Sequence, residues 1–217
     1  MICFVVALNS EAENFISIIE NKTVFTLAGK PCYSGTVNGK NIVLSVCGIG
    51  KVNASIATQA LIDTYHPDYI INFGTAGGMD NSVEILKYYL IEKCCQYDFD
   101  VSELDNVPIG YIQDFDGIYF NANIPNFSLE HTNVASGDRF NNSQKDIQTI
   151  LNLNCPLRDM EAGAIGQVCT SNSQPFIMIK GVSDVTGSGT AQEQFLKNLK
   201  TVSNGFTPVI INLLDNL

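Results

Sequence analysis

Three apolar runs, each rich in β-branched residues, limit what this chain can become. "ICFVVAL", "PDYIINFG" and "QPFIMIKGVSD" are long enough for a strand and too short for a helix, and they are apolar on both faces. Such runs are strands covered on both sides. Helical patterns separate them: "SEAENFISIIEN", with Ser10 as cap and Glu13 closing a capping box, "KVNASIATQALIDTYH", "SQKDIQTILNL" and "MEAGAIGQVCTS". "TVFTLAG", "PCYSGTVNG" and "KNIVLSVCG" read as a meander with "NGK" as a tight turn, and "KYYLIEKCCQYDF" as a further strand. "TAQEQFLKNLKTVSNGFTPVIINLL" is a closing helix, disturbed near Gly205 and Pro208. The alternation predicts an α/β three-layer sandwich, with a central mixed, mostly parallel sheet and helices on both faces. No linker, repeat or low-complexity tract divides residues 1–217, so one domain is expected.

Charge narrows the partners. A formal net charge of -10 argues against a nucleic-acid partner, whose phosphates need a basic surface. The start lacks a basic region ahead of its short apolar run, and no stretch approaches the ~20 apolar residues of a membrane helix, so neither secretion nor a membrane is expected. Seven scattered cysteines, with no CxxC spacing, read as free thiols of a reducing cytoplasm. A small polar ligand remains open.

In parallel sheets ligands sit outside the carboxyl ends of the strands. Polar groups and glycines gather there: Glu11 after the first strand, "CGIGKVNAS", "GTAGGMD", the glycine turn of "NVASGDRFNN", and "SDVTGSG" with Ser183 and Asp184. Neither common phosphate loop fits. Ser45 stands where a P-loop needs its first glycine, and Val52 follows Lys51; "GIGKVN" ends in Asn53 rather than the glycine of a dinucleotide fingerprint. Gly48, Gly50, Gly74, Gly77 and Gly78 are either tight turns or places where backbone approaches a ligand. Glu161 shares a helical face with Ala164, Ile165 and Val168, an apolar face that points inward. It either favours the positive end of its helix or meets a ligand. Asp184 either caps a turn or serves the same rim, and Glu11 and Glu13 have the bland reading of first-turn acids. His66 and His131 read as solvated or structural, and no metal or cofactor is expected.

Together "ALNSEAE", "GIGKVNAS", "INFGTAGG", "ASGDRF", "DMEAGAIGQVC" and "KGVSDV" occur in an order that resembles the methylthioadenosine/S-adenosylhomocysteine nucleosidases of the nucleoside phosphorylase superfamily. The resemblance covers nearly the whole chain and implies a nucleoside phosphorylase-like fold. It implies hydrolysis of the N-glycosidic bond of an adenine nucleoside, with Glu11, Glu161 and Asp184 as catalytic residues. Asp184, held by Ser183, would protonate purine N7, Glu161 would accept from ribose hydroxyls, and Glu11 would activate water. Leu8, Ile49, Thr75, Ala76, Gly77, Asp159 and Met160 would line the substrate, with Phe140 stacking on adenine and backbone near Asn141 reading its edge. The partner would be a small purine nucleoside, and a homodimer is implied, with residues 96–115 as its interface segment.

Phosphorolytic relatives hold phosphate with arginine. Asn72 stands where one of those arginines would be, and the chain's two arginines are Arg139 and Arg158. Lys51, Arg139 and Lys180 stay open as anion contacts, so a purine nucleoside phosphorylase and a non-catalytic nucleoside sensor are the alternatives. Gln192 replaces the aromatic that closes over the 5′ group in the family, and Leu8 replaces a methionine. The 5′ substituent is therefore open among methylthio, homocysteinyl, hydrogen, hydroxyl and larger groups.

Overall fold

The computed structural model describes residues 1–140, 143–187 and 189–217. Strands β1 (Ile2–Val6), β4 (Lys40–Val46), β5 (Tyr69–Gly78) and β10 (Phe176–Val185) form the centre of one ten-stranded sheet. β1 pairs in parallel with β4 and β5, and β10 in parallel with β5. All five residues of β1 and all ten of β10 are buried, as runs apolar on both faces require. The meander β2 (Glu20–Leu27) and β3 (Lys30–Val37) extends the β4 edge antiparallel.

At the other side the sheet curls upon itself. β6 (Tyr88–Gln96) pairs antiparallel with β10 and parallel with β8 (Glu130–Ser136). The short β9 (Leu157–Asp159) bridges β8 back to β5, and the two-residue β7 (Phe120–Asn121) flanks β6. β5, β10, β6, β8 and β9 thus close a ring.

Helices cover both faces. α1 (Asn9–Ser17) packs with the long α6 (Ala191–Asp215) on one side, and α2 (Lys51–Tyr65) with α5 (Ala162–Ser171) on the other. Each side has its own apolar core. Phe4, Phe15, Phe73 and Phe206 form a chain of tilted and edge-on rings beneath α1 and α6, with centroids 5.0 to 6.1 Å apart. Truncating one such ring costs about 3–5 kcal/mol. α3 (Ser102–Asp105) and α4 (Gln144–Asn152) are peripheral. Ser143 caps α4: its hydroxyl accepts from the Asp146 N–H at 3.1 Å, while Asp146 accepts the Ser143 N–H at 2.8 Å.

Two local expectations need correction. Ser10 does not cap α1; the helix begins one residue earlier, and the carboxylate of Glu11 accepts the Leu8 N–H at 3.1 Å. α6 runs unbroken through Gly205 and Pro208. Gly205 is there because Tyr88 comes so close: its hydroxyl donates to the Val202 carbonyl at 2.6 Å, and a β-carbon at 205 would lie 1.9 Å from that hydroxyl.

Candidate active site

The carboxyl ends of β1, β4, β5 and β10 share one rim, and β9 reaches the same rim by pairing with Gly77 and Gly78. A cavity opens there, walled by residues from each of these strand ends.

Glu11, Glu161 and Asp184 all line this cavity. Leu8, Ile49 and Thr75 do so as well, beside Ala76 and Gly77 of β5. Phe140, Asp159, Met160 and Ser183 complete the set anticipated from the sequence, except that Asn141 lies outside the described residues.

Glu11 is 3% exposed and sits in the first turn of α1. Its Oε1 accepts from both the N–H and the hydroxyl of Thr75, each at 2.7 Å. Gly74 leaves the room it needs, since a β-carbon there would come within 3.2 Å of Oε1. Burial pushes the Glu11 carboxyl above the ordinary range, against the pull of Thr75 and Lys180.

Glu161 is not on the helix face that the pattern assigned to it. α5 starts at Ala162, and Glu161 precedes it with φ -134° and ψ -40°. Its side chain makes no cap bond to α5. Asp159 does that work, accepting the Ala162 N–H at 2.9 Å. Freed from capping, the Glu161 carboxylate crosses the rim and accepts the Gly50 N–H at 2.9 Å. Gly50 has φ +98°, a conformation that favours glycine. Burial, and then the charge of Asp159, push Glu161 up to about 8.

Asp159 lines the cavity, but its carboxylate is committed. One oxygen accepts from Ser136 and the other meets the ammonium of Lys180 at 2.7 Å. Lys180 is 1% exposed. Burial opposes its charge, and the carboxylates of Asp159 and Glu161 outweigh that and hold its pKa above the ordinary lysine value.

At the far end, β10 carries an irregularity between Val182 and Asp184. The Ser183 hydroxyl donates to Asp184 Oδ1 at 2.7 Å, and Arg158 Nη2 donates to Oδ2 at 3.0 Å. Arg158 and Asp184 flank Gly77 at one register position across β9, β5 and β10.

Three lining residues escaped the sequence reading: Ala7, Arg158 and Phe195. Phe195 supplies an aromatic to the cavity wall, and Gln192 does not line it. Gln192 lines a neighbouring hollow with Thr186 and Glu193, while the Phe195 ring, three residues further along α6, stands 5.4 Å from Phe140 at 77°. The i+3 spacing was the available signal. The cations held open as anion contacts are all paired: Lys51 with Asp98 at 2.6 Å, Arg139 with Asp146 at 2.8 Å, and Lys180 as above. Asn72 turns from the rim, donating to the Val5 carbonyl at 2.9 Å.

Residues 1–215 match the phosphorylase superfamily. A 5′-methylthioadenosine/S-adenosylhomocysteine nucleosidase from Anoxybacillus flavithermus is 31% identical over 99% of both chains. This chain belongs to that nucleosidase family. Among solved structures, the Neisseria meningitidis nucleosidase in complex with methylthio-immucillin-A has a TM-score of 0.89, with 26% identity over 100% of this chain and 99% of that one. A putative nucleosidase of the same description from Borrelia burgdorferi, bound to adenine, has a TM-score of 0.90 and 28% identity over all of both chains.

Proposed function

We propose that this chain hydrolyses the N-glycosidic bond of adenine nucleosides of the 5′-methylthioadenosine and S-adenosylhomocysteine kind, releasing adenine and the free sugar. The observation that carries the reading is the convergence of Glu11, Glu161 and Asp184 on one cavity from three distant parts of the chain. The family supports it, since relatives of this description are nucleosidases.

The residues divide the work. Asp184, positioned by Ser183, lends a proton to purine N7 as the bond from C1′ to N9 breaks, so the base leaves with that bond's electron pair and without charge. Positive charge grows on the sugar. Glu161 meets the ribose hydroxyls, and hydrogen bonds to them strengthen as that charge develops. Glu11 takes one proton from water while the water oxygen bonds to C1′. A buried carboxyl with a raised pKa is a better base near neutrality than an ordinary one. Phe140 and Phe195 offer aromatic faces to the base and its 5′ neighbour.

The paired state of Lys51, Arg139 and Lys180 supports water over phosphate, because a phosphate dianion calls for unspent cationic donors. All seven cysteines are buried free thiols, which supports a cytoplasmic setting. Among the described residues no helix is long and apolar enough to cross a membrane. Leu104, in the 96–115 segment, is 83% exposed and Val52 is 70% exposed, which supports a homodimer that covers them.

The test is adenine release from methylthioadenosine, S-adenosylhomocysteine and adenosine, followed by chromatography with and without phosphate. Release in phosphate-free buffer is expected. A strict phosphate requirement would replace this reading with a phosphorylase, and tight binding without release would replace it with a sensor.

A further inference from the structure

Arg158 has no assigned part in the chemistry above, yet it is 6% exposed and lies in the wall of the base end. Its guanidinium lies 5.5 Å from the Phe140 ring centroid and is tied to Asp184 through Nη2. Its Nε is buried with no hydrogen-bond partner among the described residues. An orphaned buried donor is costly, and such a cost is accepted where the group that carries it has a task in the site. Gly77 makes the arrangement possible: a β-carbon there would lie 2.8 Å from Asp184 Oδ2 and 2.9 Å from the guanidinium carbon.

The six-position of a purine decides what such a wall reads. Adenine presents an acceptor at N7 and a donor at N6, whereas hypoxanthine and guanine present two acceptors, N7 and O6. A carboxyl that donates from one oxygen and accepts at the other matches adenine. With a guanidinium fork beside it the wall carries donors side by side, the pattern that two adjacent acceptors require. The geometry points to Arg158 as a specificity-determining residue that admits 6-oxopurine nucleosides to this site as well as adenine nucleosides. The inference rests on the nucleosidase reading: the bond broken and the role of water are unchanged, and only the leaving base differs.

The experiment uses a matched pair, 5′-methylthioinosine and 5′-methylthioadenosine, with calorimetric binding of free hypoxanthine and adenine alongside. In the wild type, kcat/KM for the inosine compound is expected within about tenfold of the adenosine compound. Arg158→Met, which keeps the stem and removes the donors, should lower that ratio about 100-fold, and Arg158→Lys should fall between. Hypoxanthine binding should weaken in step while adenine binding holds. A merely structural role would move both substrates equally, and an unchanged ratio would overturn the assignment. So would a wild type that binds adenine more than about 100-fold tighter than hypoxanthine, a result that needs no variant to fold. If neither nucleoside is cleaved, the nucleosidase reading fails by itself, and the free-base binding still decides the role of Arg158.

Discussion

The two ends of the cavity use the same functional group in opposite surroundings. At the sugar end, Glu11 and Glu161 take their hydrogen bonds from backbone N–H groups and a threonine, and burial raises both. At the base end, Asp184 accepts from a serine hydroxyl and is paired directly with a guanidinium. The nearest cation of the sugar end, Lys180, is taken by Asp159. Three carboxyls thus stand in different surroundings, which supports the proposed division into acid and base roles at one site.

Breaking each end should have a different signature. Glu11→Gln has the largest expected effect, a loss of about 10²–10⁴-fold in turnover with nucleoside affinity retained, read by single-turnover rates beside calorimetry. Severe loss of binding would remove Glu11 from the role of base. Asp184→Asn should lose about 10²-fold in rate, and it should also unfold more easily, because it strips a buried guanidinium of its partner, a change that costs about 3–5 kcal/mol. Denaturant melts of this variant against Glu11→Gln sharpen the contrast between a paired and an unpaired acid.

Glu161→Gln should weaken binding and rate together, each by about tenfold, and it should alter the pH dependence of stability. In the ligand-free protein Glu161 is raised, so between pH 4.5 and about 8 the folded state binds more protons than the unfolded one. Stability is therefore lost as pH rises through that window, with Glu11 acting in the same direction. Melting temperatures of the wild type should fall from the acid to the alkaline side of it, and Glu161→Gln should flatten the fall. A wild type that grows more stable with rising pH there would contradict the assignment. Phe195→Ala carries the smallest effect, a few-fold rise in KM with kcat little changed, since it removes about 1 kcal/mol of aromatic contact.

The sequence disclosed the layers of this fold through its apolar runs, because strands buried on both faces leave a plain pattern in β1, β5 and β10. It disclosed the three carboxyls through motif order. What it hid depends on cross-strand register. Nothing in "PLRDMEA" says that Arg158 lies across Gly77 from Asp184, for that follows from β9 pairing antiparallel with β5. Glu161 looked helical because its spacing fits α5, yet the helix starts one residue later and the acid turns to Gly50. Phe195 was overlooked because the aromatic was sought at Gln192, three residues earlier on the same helix.

The most direct test of the contrast between the two ends is a site-resolved NMR titration of the glutamate side-chain carboxyls in the ligand-free protein. The account predicts that Glu161 titrates near 8 and that Glu11 titrates above the ordinary glutamate value of 4.5. If both titrate at 4.5 or below, the sugar end is fully ionised at neutral pH, and burial does not set its chemistry apart from that of an ordinary carboxylate.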